Sequence, residues 1–159
     1  MAHPQVGDPA PDFTLPSDSG EISLSSFKGK PVVIYFYPKD DTSGCTKEAI
    51  AFSQLKPEFD KIGVRVIGLS PDSATKHAKF RKKHDLTVDL AADEDRVALE
   101  AYGVWVEKSM YGRKYMGVER TTFLIDAEGK IAQVWNKVKV AGHAEAVLEA
   151  ACGFTSAKL

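Results

Sequence analysis

One stretch, an apolar run followed by a polar loop and a cysteine, limits what this chain can fold into more than any other. Val32–Phe36 is β-branched and aromatic and has the length of a buried strand. Pro38 cannot donate a hydrogen bond to a sheet, so the strand is expected to end near it. Thr42 and Ser43 are both candidates for capping a helix that follows. The pattern predicts that Cys45 lies in the first helical turn, at the carboxyl end of a central strand.

This position at the start of a helix favours a reactive sulfur. A free thiol has a pKa of about 8.5, so little of it is thiolate at neutral pH. A helix N-terminus stabilises a nearby anion by about 0.3–1 kcal/mol, whereas lowering a pKa to about 6 takes about 3.4 kcal/mol. A cation from elsewhere is therefore expected beside Cys45, and arginine is the most natural one. The residues alone do not choose among Arg65, Arg81, Arg96, Arg113 and Arg120.

Composition excludes several classes of protein. The net charge of −1 gives no reason to expect a nucleic-acid or membrane partner, and no apolar run approaches the ~20 residues of a membrane span. The first residues lack a basic and then apolar signal pattern, and two cysteines are too few for a disulfide scaffold. The four histidines lack metal-ligand spacing. We expect one cytoplasmic domain over residues 1–159, without a metal or cofactor.

The remaining patterns predict an α/β fold. Cys45 opens a helix that ends at Gly63 and that Pro57 should kink or split. Other predicted elements are a hairpin (Phe13–Leu15 with Glu21–Leu24), a core strand (Val64–Ser70), helices (Ser73–His84, Asp93–Tyr102 and Gly142–Cys152) and a second hairpin (Thr121–Ile125 with Ile131–Trp135). Val104–Val118 receives no assignment. Strands that alternate with helices imply parallel pairing, and a thioredoxin-like fold with an N-terminal hairpin and a central mixed sheet flanked by helices fits this order.

The chain also resembles a known family. The signature of peroxiredoxins is proline, three residues, threonine, two residues and cysteine, and the run from Pro38 to Cys45 resembles it. Cys45–Ala49 and Phe52 resemble the bacterioferritin-comigratory, or Q-type, branch. The similarity extends from Val6 to Val147. It implies a thiol-dependent peroxidase that reduces hydrogen peroxide and organic hydroperoxides.

The resemblance assigns roles residue by residue. Cys45 would be the peroxidatic nucleophile, which becomes a sulfenic acid. Thr42 would hydrogen-bond the thiolate and the peroxide, and Arg120 would supply the positive charge and polarise the O–O bond. Pro38 would shield the pocket and shape the loop. Glu48 would orient Arg120 through a bidentate pair.

One departure from the family predicts how the enzyme is recycled. Many Q-type members carry a resolving cysteine five positions after the peroxidatic one, where this chain has Ile50, and others carry it in the next helix, where residues 73–84 contain none. Cys152 remains, on the packing face of the last helix. We expect a one-cysteine mechanism with an external thiol (glutathione, glutaredoxin or thioredoxin), with resolution by Cys152 as the minority alternative. A monomer or weak homodimer is expected.

Other interpretations remain open from sequence alone. One alternative is a non-catalytic redox sensor or holdase that is oxidised at Cys45, whereas a thiol–disulfide oxidoreductase is disfavoured because C-x-x-C is missing. Each site residue also has a simpler interpretation. Cys45 could be an inert core residue, Thr42 only a helix cap, Pro38 a strand terminator, Glu48 a first-turn charge and Arg120 a surface ion pair.

Overall fold

A computed structural model describes the backbone of residues 3–157 and the side chains of residues 3–153. The elements, in chain order, are β1 (Thr14–Ser17), β2 (Gly20–Ser23), a short 3₁₀ helix (Leu24–Phe27), β3 (Val32–Phe36), α1 (Ser43–Lys61), β4 (Arg65–Ser70), α2 (Ala74–His84), β5 (Asp89–Ala92), α3 (Val97–Ala101), β6 (Trp105–Met110), β7 (Arg113–Val118), β8 (Thr121–Ile125), β9 (Ile131–Trp135) and α4 (His143–Ala157). The strand and helix on either side of the loop before Cys45 are where the sequence predicts them.

Seven of these strands form one mixed sheet in the order β2-β1-β5-β4-β3-β8-β9. Strands β3, β4 and β5 are parallel, as expected for strands joined by helices, and β1 and β8 pair antiparallel with their neighbours. The architecture confirms the predicted thioredoxin-like arrangement. Strands β6 and β7 form a separate antiparallel pair.

Strand β3 is central and fully buried, so its alternating side chains feed two cores. Ile34 and Phe36 point into the core that includes Leu99 and Tyr102, around α3 and the first hairpin. Tyr35 points into the other core, which contains Phe52 of α1 and residues of α2 and α4. Because side chains alternate along a strand, one short run fixes both layers.

Three parts of the fold differ from the prediction. Strand β5 was not predicted, because its residues Asp-Leu-Ala-Ala contain no β-branched side chain. This segment becomes a strand by pairing with β4. The predicted helix Asp93–Tyr102 is shorter, Val97–Ala101. The unassigned residues 104–118 hold the β6–β7 hairpin, whose exposed side chains lack a clear apolar alternation.

Pro57 lies inside α1 and does not split it. A proline removes the hydrogen bond that its own nitrogen would donate to the carbonyl four residues earlier, here that of Ser53. The Thr87 hydroxyl donates to this carbonyl at 3.2 Å, and the Thr87 backbone N–H donates to the Ser53 hydroxyl at 3.0 Å. These tertiary hydrogen bonds replace the lost helical one.

Candidate active site

The sulfur of Cys45 lies where the sequence places it, in the first turn of α1 and just beyond the carboxyl end of β3. Cys45 is 1% exposed and packs in the core that contains Tyr35 and Phe52. The first N–H groups of α1 and the positive end of its dipole favour an anion at this position. The site is therefore a sheltered sulfur in an environment that favours negative charge.

Arg120 supplies the cation that the sequence argument requires. It lies in the short connection between β7 and β8, and its Nη2 donates to Cys45 Sγ at 3.2 Å. Burial alone would lower the pKa of the guanidinium, but the negative charges of Glu48 and Cys45 outweigh this and raise it. A permanent positive charge thus contacts the sulfur directly, as expected.

Glu48 holds the other side of the guanidinium. Arg120 Nη1 donates to Glu48 Oε1 at 2.5 Å, whereas Oε2 has no hydrogen-bond partner among the described residues. The prediction of a bidentate pair is therefore wrong: only Nη1 donates to Glu48, because Nη2 donates to the sulfur. Burial raises the pKa of Glu48 to about 7, although Arg120 acts in the opposite direction. The carboxyl thus gains and loses its proton near neutral pH.

Gly44 permits this close approach. A Cβ atom at residue 44 would lie 3.2 Å from Arg120 Nη2, tighter than ordinary van der Waals contact. The guanidinium therefore occupies space that a side chain at residue 44 would need.

Thr42 and Pro38 lie in the loop that leads to the sulfur. Thr42 occupies the N-cap position of α1, but its hydroxyl makes no capping hydrogen bond and donates instead to the Lys39 carbonyl at 2.8 Å. Of the two capping candidates, Thr42 therefore takes the N-cap position without making the side-chain capping hydrogen bond. The described structure shows no hydrogen bond from this hydroxyl to the sulfur of Cys45, because its proton goes to the Lys39 carbonyl. The contact of Thr42 with the thiolate and with a bound peroxide in the reacting enzyme stays a prediction. Pro38 is half-buried directly after the strand.

Two groups around the site were not predicted from the sequence. Lys108 on β6 packs across Gly117, and burial lowers the pKa of its ammonium, as does Arg120, while Glu119 and Cys45 raise it. His143 begins α4 and pairs with the Thr122 hydroxyl at 2.8 Å. Burial, with a contribution from Arg120, lowers the pKa of His143 to about 4.

A third group, also missed, ties the loop to α2. Asp40 and His77 are both buried and lie 2.7 Å apart, Oδ2 to Nδ1. The signal available in the sequence was the spacing of His77 and Phe80, which puts both on one face of α2. Nothing in the local sequence indicates that Asp40 is the partner.

Cys152 lies away from this cluster. The first turns of α1 and α4 are neighbours, because both line one surface cleft. Cys152 is half-buried and lies about 13 Å farther along α4 than His143, at 1.5 Å per residue. Its position does not bring it toward the sulfur of Cys45.

Among residues 3–153, no group of three or more His, Cys, Asp or Glu side chains is placed to hold a metal ion. No helix in the described part of the chain is both long and apolar enough to span a membrane.

Comparison with known proteins gives a consistent set of relatives. The AhpC/TSA family model matches residues 6–134. A relative in Coxiella burnetii whose name places it among the Bcp peroxiredoxins is 53% identical over 145 residues, which are 91% of this chain and 96% of that protein. The solved structure of a PrxQ mutant from Xylella fastidiosa is 37% identical, with a TM-score of 0.91 over 97% of this chain and 99% of that one.

A second solved structure is the bacterioferritin comigratory protein of Xanthomonas campestris, trapped with an intermediate or ligand to study that protein's alkyl peroxide reduction. It is 44% identical, with a TM-score of 0.86 over 90% of this chain and 92% of that one.

Proposed function

Because the chain belongs to the AhpC/TSA family and is a thiol-dependent peroxidase like its Bcp and Q-type peroxiredoxin relatives, we propose that Cys45 is the sulfur that reacts with peroxide. The observation that carries this assignment is the 3.2 Å hydrogen bond from Arg120 Nη2 to Cys45 Sγ. It pairs a sulfur at a helix N-terminus with a permanent cation.

The proposed chemistry follows from this arrangement. The Cys45 thiolate attacks one oxygen of the peroxide, so that an S–O bond forms as the O–O bond breaks. The sulfur is oxidised by two electrons to a sulfenic acid, and the other oxygen leaves with a proton as water or an alcohol. Arg120 is positioned to stabilise negative charge, first on the sulfur and then on the departing oxygen. We assign Glu48 to hold the guanidinium, and Thr42 and Pro38 to shape the loop around the peroxide.

The substrates we propose are hydrogen peroxide and alkyl hydroperoxides, the second in line with the activity studied in the Xanthomonas campestris relative. Small oxidants suit a sulfur that is 1% exposed, since a large molecule has no direct access to it.

We propose that an external thiol recycles the enzyme. One thiol condenses with the sulfenic acid to a mixed disulfide and water, and a second thiol releases reduced Cys45. The place of Cys152, along α4 and away from the site, supports this one-cysteine scheme. Glutathione, a glutaredoxin or thioredoxin would be the donor. We further propose a cytoplasmic protein that is a monomer or a weak homodimer.

The test compares two cysteine variants. We expect Cys45→Ser to abolish peroxide consumption with a thiol reductant and Cys152→Ser to retain it. Intact-mass spectrometry after one equivalent of peroxide should show a gain of about 16 Da at Cys45, as for a sulfenic acid. Loss of activity in Cys152→Ser, or a loss of about 2 Da that maps to a Cys45–Cys152 disulfide, would contradict the one-cysteine scheme. Full activity in Cys45→Ser would contradict the assignment of the nucleophile.

A further inference from the structure

A buried ion pair connects the loop before Cys45 to helix α2. Asp40 lies in that loop, His77 lies on α2, and the two are separated by 37 residues in the chain. His77 is 0% exposed and Asp40 is 8% exposed. The described structure shows no hydrogen bond from either residue to the sulfur of Cys45, whose partner is Arg120, and the mechanism proposed above does not use them.

Every polar side-chain atom of this pair has a partner. Tyr37 donates its hydroxyl to Asp40 Oδ1 at 2.6 Å, and the Asp40 backbone N–H donates to Asp72 Oδ2 at 2.7 Å. His77 Nε2 lies 2.9 Å from the Ala91 carbonyl oxygen. We call Tyr37, Asp40, Asp72 and His77 the loop clamp.

The hydrogen-bond partners define where the protons are. A carbonyl oxygen can only accept, so the hydrogen of His77 Nε2 points to Ala91. Nδ1 and Asp40 Oδ2, 2.7 Å apart, therefore share one further proton. A pair of this kind is well matched only while both members are present, because removal of one leaves a buried polar group without compensation.

The loop clamp acts close to the reacting sulfur. Asp40 lies five positions before Cys45, and the hydroxyl of Thr42 bonds back to the Lys39 carbonyl inside the same loop. With the loop in this position Cys45 is 1% exposed. A peroxide is small, whereas a reducing thiol on a peptide or protein is large and needs the sulfur uncovered.

We propose that His77 and Asp40 are positioning residues that hold the loop in the conformation that reacts with peroxide. Because the same interaction keeps Cys45 covered, it opposes the later attack of an external thiol. The proposal rests on Cys45 as the reacting residue. It predicts that weakening the loop clamp changes the two half-reactions in opposite directions. Oxidation of Cys45 slows because the sulfur and its donors lose their geometry, and reduction of the sulfenic acid becomes faster because the sulfur is easier to reach.

Two substitutions of the same residue test this. In His77→Asn the amide nitrogen takes the place of Nδ1 and can still donate to Asp40. In His77→Gln the amide nitrogen takes the place of Nε2 and donates to the Ala91 carbonyl, so Asp40 Oδ2 loses its hydrogen-bond donor. We expect the first to keep the peroxide rate within about threefold and the second to lower it about tenfold or more.

Each half-reaction is measured separately. The first is the single-turnover rate of Cys45 oxidation by hydrogen peroxide, and the second is the rate at which glutathione, a peptide thiol, reduces the preformed sulfenic acid. Amide hydrogen exchange of residues 39–45 in the reduced protein reports the loop without any catalysis. In His77→Gln we expect slower oxidation, faster reduction and faster exchange, and in His77→Asn little change in all three.

Two further variants keep the test decisive if His77→Gln fails to fold. Tyr37→Phe removes one hydrogen bond without changing shape and should move all three readouts in the same directions by a smaller factor. His84→Gln is the matched control. This histidine is on the same helix and pairs with the neighbouring loop residue Asp41, but at the surface, where the pair is screened. We expect no change in this variant.

The outcomes separate the two proposals. Equal behaviour of His77→Asn and His77→Gln, or slowing of both half-reactions together, would overturn the loop clamp as a positioning device. Unchanged exchange in His77→Gln and Tyr37→Phe would do the same. If the wild-type protein formed no sulfenic acid at Cys45, the proposed function itself would fail, and the exchange data would still decide whether the clamp holds the loop.

Discussion

Two buried ion pairs lie on either side of the segment that carries Cys45, and they differ in how completely they are satisfied. Arg120 and Glu48, 72 residues apart, contact the sulfur and leave Glu48 Oε2 without a partner among the described residues. Asp40 and His77 join the loop to α2 and make no hydrogen bond to the sulfur in the described structure, and their side-chain polar atoms are all paired.

The difference separates two tasks. A pair that only has to hold backbone in place is most effective when every hydrogen bond is made. A pair that has to stabilise charge that develops during a reaction keeps some of its donors and acceptors available for the reacting atoms. Arg120 divides its donors between the carboxylate and the sulfur, so its charge remains available to the reacting atoms.

The largest effect should come from removing the charge at the sulfur. Arg120→Met retains much of the side-chain volume and deletes the donor to Sγ, so the single-turnover rate with peroxide should fall by about a hundredfold to a thousandfold. Arg120→Lys keeps a charge but cannot serve Sγ and Glu48 together, so it should lie in between. Stopped-flow measurement of Cys45 oxidation checks both. If the oxidation rate of Arg120→Met were within a few-fold of the wild-type rate, the distinction between the two ion pairs would not hold.

A second prediction uses the pKa of Glu48. In the folded protein this pKa is about 7, against an ordinary value of 4.5, so between these pH values the folded state holds a proton that the unfolded state lacks. The stability contributed at this residue is therefore highest below pH 4.5 and is lost as the pH rises through about 7.

Glu48→Gln removes this dependence and keeps an oxygen that accepts from Arg120. At pH 8 it should raise the free energy of unfolding on the order of 3 kcal/mol, since one pKa unit corresponds to about 1.36 kcal/mol. The gain should shrink to nothing near pH 4.5, as chemical denaturation at several pH values would show. A gain that does not vary with pH would mean that Glu48 does not titrate in this range.

The smallest expected effect concerns the spacing between the pair and the sulfur. Gly44→Ala adds a methyl group 3.2 Å from Arg120 Nη2 and should displace the guanidinium by a few tenths of an ångström. We expect a loss of about threefold to tenfold in the peroxide rate, the cost of weakening one hydrogen bond. Thermal unfolding should not be impaired, because alanine is the better helix former. An unchanged rate would show that the guanidinium tolerates the shift.

Local signals in the sequence predict the parts of the site that lie along one continuous stretch. Strand β3, the loop after it and the place of Cys45 in α1 follow from hydrophobicity, a proline and helix-capping residues, and the structure has them there. The choice of Arg120 among the arginines came from the family resemblance, since no local pattern separates it from the others.

The parts that were missed depend on partners distant in sequence. For Glu48 the local pattern indicates only a first-turn charge, and its role beside Arg120 came from the family resemblance; in the structure it is 1% exposed and pairs with Arg120. Nothing in the sequence around Asp40 or His77 indicates that the two are partners, yet the pairing of β3, β4 and β5 brings them together. Strand β5 is itself a strand only through its neighbours, which is why composition did not reveal it.

Gly44 has a consequence for anyone who wishes to redesign this enzyme. Residues 44 and 120 share one small volume, so a library that varies residue 44 alone samples mostly sequences that push the guanidinium off the sulfur. Productive change at either position would have to come as a coordinated double substitution, with a larger residue at one matched by a shorter one at the other.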